Sequence, residues 1–543
     1  MKVENNVNVK TKNRLNLISV FLVILLAVSV LTYYSYSNPV VEYVPVVKDA
    51  GPLDPPAVII ENGSMVTGWT YIIDVADDGT CYARDGDTGE IVESNADDDY
   101  VIQQILNLNP ESVLLSSCDF VWDSGIDIDS ANDRLVFSGM GWSTRITYAG
   151  AGISGAVIDC SGGSDFGLTD VYIGNMYILG DDGGSAHGIR MQYFQRCKIE
   201  NVKVEKAGGS GIYFNHANDN QVLNSYLYDN KVNGFYCNSA HELILSGDHS
   251  LYNTQSGYRF TDDGTINGLT MQVQLIGCSA ENNGESYGNI YFDDGSGAME
   301  DCIINGFTSD YGHVFLTDCE YMHVNSLELW NGRLRLINTD NSVIENVIVD
   351  GGMSYSALSC TDCDDTTITN CNFVTVSAVG PPDTNGISLV DCDSMIITNN
   401  RMTQTGTPRH YGIYLEDSDY NIVKGNWIYV FPTGIYLDGT SDYNKIQDNI
   451  IDSAVTTPFD DDGGNTVWDN NYYNDLRSEL MLDFTSESNG SYIAHGLIST
   501  PDYVVVTLST QGYAWYGSLN TTHIQVYFST ATASGSVYCE YKP

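Results

Sequence analysis

Residues 412–451, GIYLEDSDYNIVKGNWIYVFPTGIYLDGTSDYNKIQDNII, contain the same phrase twice. Gly-Ile-Tyr-Leu, an acidic turn and a spaced apolar pair begin at Gly412 and begin again 22 residues later at Gly434. Self-similarity at a fixed period indicates a repeat architecture, because units that cannot bury their own apolar residues can bury those of their neighbours.

The repeat extends over most of the chain. A period of roughly 25 residues is that of one β-helix coil, whereas a propeller blade needs roughly 40. We therefore predict an all-β fold, a single-stranded parallel β-helix of about twelve coils. The small or amide residue that follows each apolar pair is expected to stack about 4.8 Å from its counterpart and to form a ladder along the axis. These positions are Asn175, Asn201, Asn224, Gly247, Gly277, Asn305, Ser326, Asn346, Asn370, Asn399, Gly425 and Asp448.

The charge balance limits the partners. The chain has 70 acidic and 23 basic residues and a net charge of −47, which would repel nucleic-acid phosphate, so nucleic acid is excluded as a partner. The same charge would repel a polyuronate unless calcium bridged it. A neutral or amino-sugar polymer, or the cell's own glycan coat, is the easier partner.

The N-terminal region has the pattern of a membrane anchor. Residues 1–14 are basic, residues 15–34 provide about the ~20 apolar residues needed to cross a bilayer, and residues 35–66 are a proline-containing linker. We expect an uncleaved single-pass anchor in the cell membrane with the bulk of the chain extracellular. A cleaved signal peptide is the alternative.

Residues 67–478 resemble the pectin-lyase-like right-handed parallel β-helix proteins, of the type found on archaeal surfaces and in viral tail spikes. The coil phrases GIYF, GFYC and GYRF, which begin at Gly211, Gly234 and Gly257, and the lead-in from Tyr71 to Ser117 carry this resemblance. It implies an N-terminal β module at 67–140 and the β-helix proper at 141–478. It also implies polysaccharide as the ligand and, if the protein is spike-like, a trimer.

Two features at the ends of the repeat belong to the same resemblance. The segment DDYVIQQILNL, residues 98–108, is similar to the amphipathic helix that caps the first coil, with Val101, Ile102, Ile105 and Leu106 on one face. Residues 479–543 resemble small β-sandwich modules of tail fibres and carbohydrate-active proteins, through the HGL…TP phrase that begins at His495.

Strand alternation places the Ile and Leu of each Gly-Ile-Tyr-Leu phrase inside and the residue between them outside. Flat rings and guanidinium groups in a row can stack on sugar rings and bond their hydroxyls, and such residues are enriched at binding hot spots. Alternatively, tyrosine simply suits exposed strands and stacks on its neighbours. We call this outward row the Tyr/Arg stripe, and it is predicted to comprise Arg190, Tyr213, Tyr236, Arg259, Tyr291, Phe315, Arg335, Ala357, Ser388, Tyr414 and Tyr436.

The next outward row contains carboxylates. Glu416 and Asp438 are predicted to lie about 4.8 Å apart, where like charges raise one pKa. They could form an acid and nucleophile pair or bind calcium as a cofactor. Surface acids without a function are the alternative. The row is predicted to be Gln192, Asn215, Asn238, Thr261, Asp293, Thr317, Ile337, Ser359, Val390, Glu416 and Asp438.

Asp262, Asp263, Asp293 and Asp294 form a second acidic cluster, in which Asp262 and Asp293 are alternative catalytic acids. His313, one coil further on, is a candidate proton carrier. The spacing of Cys360, Cys363 and Cys371 allows a zinc site, buried thiols or one local disulfide.

The Gly-His-Gly and Arg-Ile-Lys phrases of polygalacturonases with this fold are missing, and Arg409-His410 is only a faint match to the arginine of pectate lyases. No catalytic role carries over from the family. Three hypotheses follow: a membrane-anchored extracellular protein that binds polysaccharide, a polysaccharide hydrolase or lyase, and a non-catalytic coat or spike protein.

Overall fold

A computed structural model describes residues 68–473, except 149–151, 154, 164–165, 182, 263–270, 285–287, 294–298, 354, 378–383, 407–409 and 453–456, with further short strands at 60–65 and 476–540. The predicted anchor at 15–34 lies outside these residues. None of the helices in the described part has the length and apolar character needed to cross a membrane. The chain divides into two units, Met1–Met65 and Val66–Pro543, and the first contributes the antiparallel pair Ile60–Glu61 and Ser64–Met65.

The second unit is a parallel β-helix, in which each coil pairs in register with the coils before and after it. We call its three sheets A, B and C. Sheet A contains Ile126–Asp129, Ala156–Ser161, His187–Gln195, Ile212–Leu223, Phe235–Ser246, Tyr258–Thr261, Ile290–Asp293, Val314–Glu320, Leu334–Asp340, Leu358–Thr361, Ile387–Val390, Tyr411–Glu416, Thr433–Leu437 and Thr457–Asp461. Leu168–Thr169 and Met299–Glu300 extend it.

Sheets B and C complete each coil. Sheet B contains Tyr71–Val75, Ser112–Leu115, Val136–Ser138, Val273–Ile276, Ile303–Asn305, His323–Asn325, Val343–Glu345, Thr367–Thr369, Ile396–Thr398, Ile422–Lys424, Lys445–Gln447 and Val467–Asp469. Sheet C contains Asp119–Trp122, Arg145–Tyr148, Tyr226–Tyr228, His249–Leu251, Ser279–Glu281, Thr308–Asp310, Glu328–Trp330, Ile348–Met353, Asn372–Ser377, Arg401–Gly406, Trp427–Tyr429, Ile450–Ile451 and Tyr472–Tyr473. Tyr172–Leu179 and Lys198–Glu205 run from B into C, whereas Ile212–Leu223 and Phe235–Ser246 run from A into B.

The first coils and their cap precede the predicted boundary at residue 141. Parallel pairing already joins Tyr71 to Val113 and Val113 to Phe137. The helix Asp98–Leu106 begins after Asp97, whose side chain accepts a hydrogen bond from the Tyr100 amide. The predicted apolar face is confirmed, since Val101, Ile102, Ile105 and Leu106 are at most 1% exposed. Tyr71–Val75, Cys81–Asp85 and Ile91–Asn95 form an antiparallel meander beside it, and short 3₁₀ turns occupy Ser130–Asn132 and Gly141–Ser143.

The corner between sheets B and C explains the small and amide residues of the repeat. Each coil turns there through a residue in the left-handed region, which Asn, Asp and Gly tolerate best. Eleven of the twelve predicted positions have φ between 51° and 68°. The prediction for Asn305 is wrong by one residue, because Gly306 has the positive φ of 66°. Asn201 donates to Asn175 as the predicted ladder requires, at 2.9 Å.

A second, buried amide ladder lies one residue further along the chain. Asn400, Asn426, Asn449 and Asn471 are at most 1% exposed. The side-chain amides of Asn400, Asn426 and Asn449 each donate to the next side-chain oxygen, at 2.9–3.1 Å, and that oxygen also accepts from the preceding asparagine's backbone N–H. This ladder satisfies buried backbone groups that a turn inside the coil would otherwise leave unpaired.

Beyond the last coil the pairing becomes antiparallel. Leu476–Arg477 pairs with Tyr472–Tyr473. Glu479–Ser488, Thr532–Glu540 and Tyr503–Leu508 form one three-stranded sheet, and Tyr492–Ala494, His523–Phe528 and Ala514–Leu519 form another. The resemblance of this region to a tail-fibre sandwich stays a prediction. The twelve cysteines from Cys81 to Cys392, including Cys360, Cys363 and Cys371, are free thiols.

Candidate functional site

The predicted Tyr/Arg stripe follows the register of sheet A with one correction. Arg190, Tyr213, Tyr236, Arg259, Tyr291, Phe315 and Arg335 pair in that order, and Ser388 pairs with Tyr414 and Tyr414 with Tyr436. The prediction for Ala357 is wrong, because Leu358 pairs with Leu334 and this places Ser359 beside Arg335. In the next row Thr361, not Ser359, therefore lies between Ile337 and Val390.

In the N-terminal half of the stripe the side chains cover one another. Tyr213 and Tyr236 stack with centroids 5.1 Å apart. The Arg259 guanidinium lies 5.6 Å from the Tyr236 ring centroid and 5.5 Å from that of Tyr291. Arg190 forms a bidentate ion pair with Asp159 on the preceding coil. Because these faces and charges already have partners, this half of the stripe has the geometry of a stabilising ladder.

The stripe is interrupted by two small residues, and a groove lies there. Ser359 and Ser388 stand between Arg335 and Tyr414 in the sheet A register. The resulting depression, which we call the serine groove, has a volume of about 670 Å³. It is lined by Arg333, Arg335, Tyr355, Ser356, Ser359, Asn385, Ser388, Val390, His410, Tyr411, Tyr414, Glu416 and Tyr436.

One end of the serine groove is cationic. Arg333 lies with its guanidinium 4.0 Å from the Tyr355 ring centroid and 5.4 Å from that of Phe315. Its Nε is buried without a hydrogen-bond partner, and burial, followed by the charge of Arg335, lowers its pKa. Within the described residues neither Arg333 nor Arg335 forms an ion pair. Two such cations are conspicuous in a chain with three times as many acids as bases.

His313 lies behind this cationic end. Its ring packs edge-on to Phe315 and Tyr355, with centroids 5.6 and 5.5 Å away. Burial and the Arg333 charge lower its pKa to about 4. It is therefore neutral at physiological pH, and the role of proton carrier predicted for it is not supported.

The other end of the groove is a cluster of three tyrosines. Tyr411 stacks on Tyr414 at 5.1 Å and on Tyr436 at 4.7 Å, and Tyr414 and Tyr436 lie nearly parallel at 5.6 Å. The Tyr414 hydroxyl donates to Glu416 at 2.9 Å. Burial and this carboxylate raise the pKa of Tyr414, and burial and Asp462 raise that of Tyr436 to about 12. Both phenols thus stay protonated at neutral pH and act as hydrogen-bond donors.

The sheet A register places the two predicted carboxylate partners Glu416 and Asp438 on neighbouring coils, but their side chains have different surroundings. Glu416 lines the groove, whereas Asp438 caps a turn by accepting from Thr440, Ser441 and the Asp417 amide. Burial would raise the pKa of Asp438, but these hydrogen bonds outweigh it and lower the pKa. Asp438 is therefore not the member of the pair whose pKa is raised. Across the described residues, neither acid belongs to a group of three side chains that could hold a metal.

The second acidic cluster does not form an acid pair on one face. Asp293 pairs with Thr261 and is half-buried on the outer row. Asp262, which follows Thr261 in the chain, is 8% exposed, and its carboxylate accepts a hydrogen bond from the Ser239 hydroxyl at 2.6 Å. Asp263 and Asp294 lie outside the described residues.

Sequence reasoning missed Arg333, Tyr355 and Tyr411. Arg333 and His313 occupy the position that Gly211, Gly234 and other coils fill with glycine, two residues before the stripe. That break in the repeat was a usable signal. Tyr355 and Tyr411 line the serine groove only because of how the coils stack. Neither residue stands at a repeat position that would have drawn attention to it.

Coils stacked in parallel register around one apolar column define a parallel β-helix protein. A family model described as right handed beta helix region matches residues 154–327 and 308–478, which is more than half of the chain. The chain belongs to this right-handed β-helix family. No curated protein sequence matches it.

Three solved structures illustrate the similarity. The A-module of the Azotobacter vinelandii mannuronan C-5 epimerase AlgE6 is 15% identical, with 65% of this chain and 95% of that chain covered and a TM-score of 0.49. The Gp54 tailspike of Acinetobacter baumannii bacteriophage AP22, in complex with a capsular saccharide, is 8% identical, with coverage of 82% and 93% and a TM-score of 0.49. The tailspike gp61 of Pseudomonas phage phi297 is 11% identical, with coverage of 80% and 90% and a TM-score of 0.43.

Proposed function

We propose that the protein binds a polysaccharide that carries anionic groups in the serine groove. The observation that carries this proposal is the pair of arginines, Arg333 and Arg335, that have no carboxylate partner within the described residues yet line a groove beside stacked tyrosines. A guanidinium presents a planar fork of donors that matches a carboxylate or sulfate group. Leaving such a group half-buried and unpaired costs stability, which an anionic ligand would recover.

The remaining lining groups match the other parts of a sugar. Ser359 and Ser388 offer hydroxyls that both donate and accept. The Glu416 carboxylate can accept hydrogen bonds from sugar hydroxyls. Tyr414 presents an apolar ring next to the gap left by Ser388. Pockets that combine aromatic walls with a few polar groups are typical small-ligand sites.

The net charge of the chain led us to expect a neutral or amino-sugar polymer as the ligand, and the serine groove instead favours an anionic one. At physiological ionic strength the field of distant surface acids is screened beyond about 8 Å. Contacts with Arg333 and Arg335 inside the groove therefore outweigh the global charge of −47.

The test measures binding of matched neutral, carboxylated and sulfated glycans to the full chain. We expect the anionic glycans to bind more tightly and to lose affinity as salt rises. Arg335→Gln should weaken this binding at least about tenfold, since charged hydrogen bonds contribute about 1.5–3 kcal/mol. Arg259→Gln, in the stacked half of the same stripe, is the matched control. Equal losses in both variants, or equal affinity for neutral and anionic glycans, would contradict the proposal.

We also propose that residues 15–34 hold the protein at the cell surface, with the groove outside. The support is the apolar run with basic residues before it. The test compares membrane fractions of cells producing the full chain and a chain that lacks residues 1–34. Protection of the full chain from added protease on intact cells would contradict the outside location.

Cleavage of the bound glycan is a second candidate function, favoured by the position of Glu416 in the groove with the Tyr414 hydroxyl 2.9 Å away. The assay is release of new reducing ends. Glu416→Gln should abolish release and retain binding. Asp438→Asn is the control, because Asp438 lies in a turn and not in the groove. Absence of release from every glycan that binds would leave binding as the function.

A further inference from the structure

A second cluster of polar side chains lies on other coils, at the corner between sheets A and B. Asp219 is on Ile212–Leu223, and His241 and Glu242 are on Phe235–Ser246. One ligating atom from each lies within 4.8 Å of those of the other two. Asp219 and Glu242 are exposed and His241 is half-buried, so an ion in solvent can reach all three.

The backbone holds these residues firmly. Asn218 pairs with His241, and Asn220 pairs with Leu243, so the register is fixed on both sides of the cluster. Asp219 and Glu242 have φ values of 55° and 54°, which turns both side chains out of the strand at the same corner. His241 Nδ1 lies 3.1 Å from Asn218 Oδ1. That oxygen can only accept, so Nδ1 donates to it and Nε2 is the ring nitrogen left to bind a metal.

The two carboxylates repel each other. The hydrogen bond with Asp219, and then its charge, raise the pKa of Glu242. Arg196 occupies the same corner one coil earlier, but it binds both oxygens of Asp170, at 2.9 and 3.1 Å. Its charge is therefore already matched, and the excess negative charge remains at Asp219 and Glu242.

We propose that Asp219, His241 and Glu242 form a binding site for a divalent transition-metal ion such as Zn²⁺. Two carboxylates and one imidazole supply three ligands, which suits zinc with a further position open to water. The nitrogen ligand disfavours calcium, which takes six to eight oxygens. The ion would fasten two neighbouring coils together.

The test is calorimetric titration of the metal-stripped full chain with ZnCl₂ and, separately, CaCl₂ at pH 7. We expect one zinc site that calcium does not fill. Glu242→Gln and His241→Gln should each weaken it more than the roughly 10- to 100-fold that loss of a supporting outer contact costs. His323→Gln is the matched control, because His323 lies 3.0 Å from the single carboxylate of Glu345 and should leave zinc affinity unchanged.

Two further readouts check that the variant is folded and which side chains bind the metal. Without metal, Glu242→Gln should unfold at the same or a higher temperature than the unmodified chain, because its amide can donate to Asp219 without charge repulsion. Cobalt bound in place of zinc should show no thiolate charge-transfer band, which excludes the cysteines as ligands. Unchanged zinc affinity in both variants, a thiolate band, or no saturable zinc binding would overturn the proposal.

Discussion

Restoring the missing ring of the Tyr/Arg stripe should close the serine groove without harming the fold. Ser388 is 9% exposed and lines the groove beside Tyr414. Arg335, Ser359, Ser388 and Tyr414 stand on successive coils, so the gap between Arg335 and Tyr414 spans about 14 Å at roughly 4.8 Å per strand. The substitution Ser388→Tyr would place a ring one strand from Tyr414, as Tyr414 stands from Tyr436.

The magnitudes follow from these neighbours. A new stacked pair of rings adds about 0.5–1.5 kcal/mol of stability beyond the area it buries. Bound glycan would lose the open face of Tyr414, worth about 1 kcal/mol, and one hydrogen bond to the Ser388 hydroxyl, worth about 1 kcal/mol. A total of about 2 kcal/mol corresponds to a roughly 30-fold weaker Kd.

The assay is calorimetric titration with the anionic glycan that binds the unmodified chain best, together with thermal unfolding. Ser279→Tyr is the control, because Ser279 lies on the outer face of sheet C beside His249 and away from the groove. Full glycan affinity in a folded Ser388→Tyr protein would refute the groove as the binding site. An equal loss in Ser279→Tyr would do so as well.

Three other predictions concern charge and the buried amides. Arg333→Gln should reduce the salt dependence of anionic glycan binding, measured as affinity against salt concentration, because one cation fewer contacts the ligand. Asn426→Ala should destabilise the protein by about 2–6 kcal/mol, measured by denaturant titration. The reason is that the Asn400 backbone amide and the Ile397 carbonyl each lose a buried hydrogen-bond partner, which costs about 1–3 kcal/mol. A loss of stability below about 1 kcal/mol would contradict the ladder's role. Asp248→Asn should stabilise the protein at pH 7 and have little effect below about pH 3. Burial raises the pKa of Asp248, so its protonated form is favoured in the folded state and its contribution is lost as the pH rises through that pKa; an unchanged unfolding midpoint at pH 7 would contradict this.

The column of coils could be predicted because each position in the repeat obeys a local rule. Inward Ile and Leu, left-handed corners at Asn and Gly, and an outward residue between two apolar ones follow from strand alternation and backbone sterics. Two errors of register occurred where the phrase is irregular. Around Ala357 glycine is absent, and at Asn305-Gly306 two adjacent residues can both occupy the corner.

The buried ladder of Asn400, Asn426, Asn449 and Asn471 could not be predicted from the sequence when each position of the repeat was considered separately. Each of these asparagines follows a corner residue directly, so the pattern was present in the chain. Only the stacked coils reveal that the second residue points inward and bonds to the next coil.

The amino-acid sequence by itself determined the architecture, the capping helix and the order of the Tyr/Arg stripe, because the repeat imposes the same inside and outside on every coil. The tertiary structure alone decided which part of the stripe is available to a ligand. Side chains that look equivalent in the repeat differ in what their neighbours leave uncovered: Tyr236 and Arg259 cover each other, whereas Arg335 and Tyr414 face a gap. That difference depends on contacts between coils some 20 to 30 residues apart, and it separates a stabilising ladder from a groove.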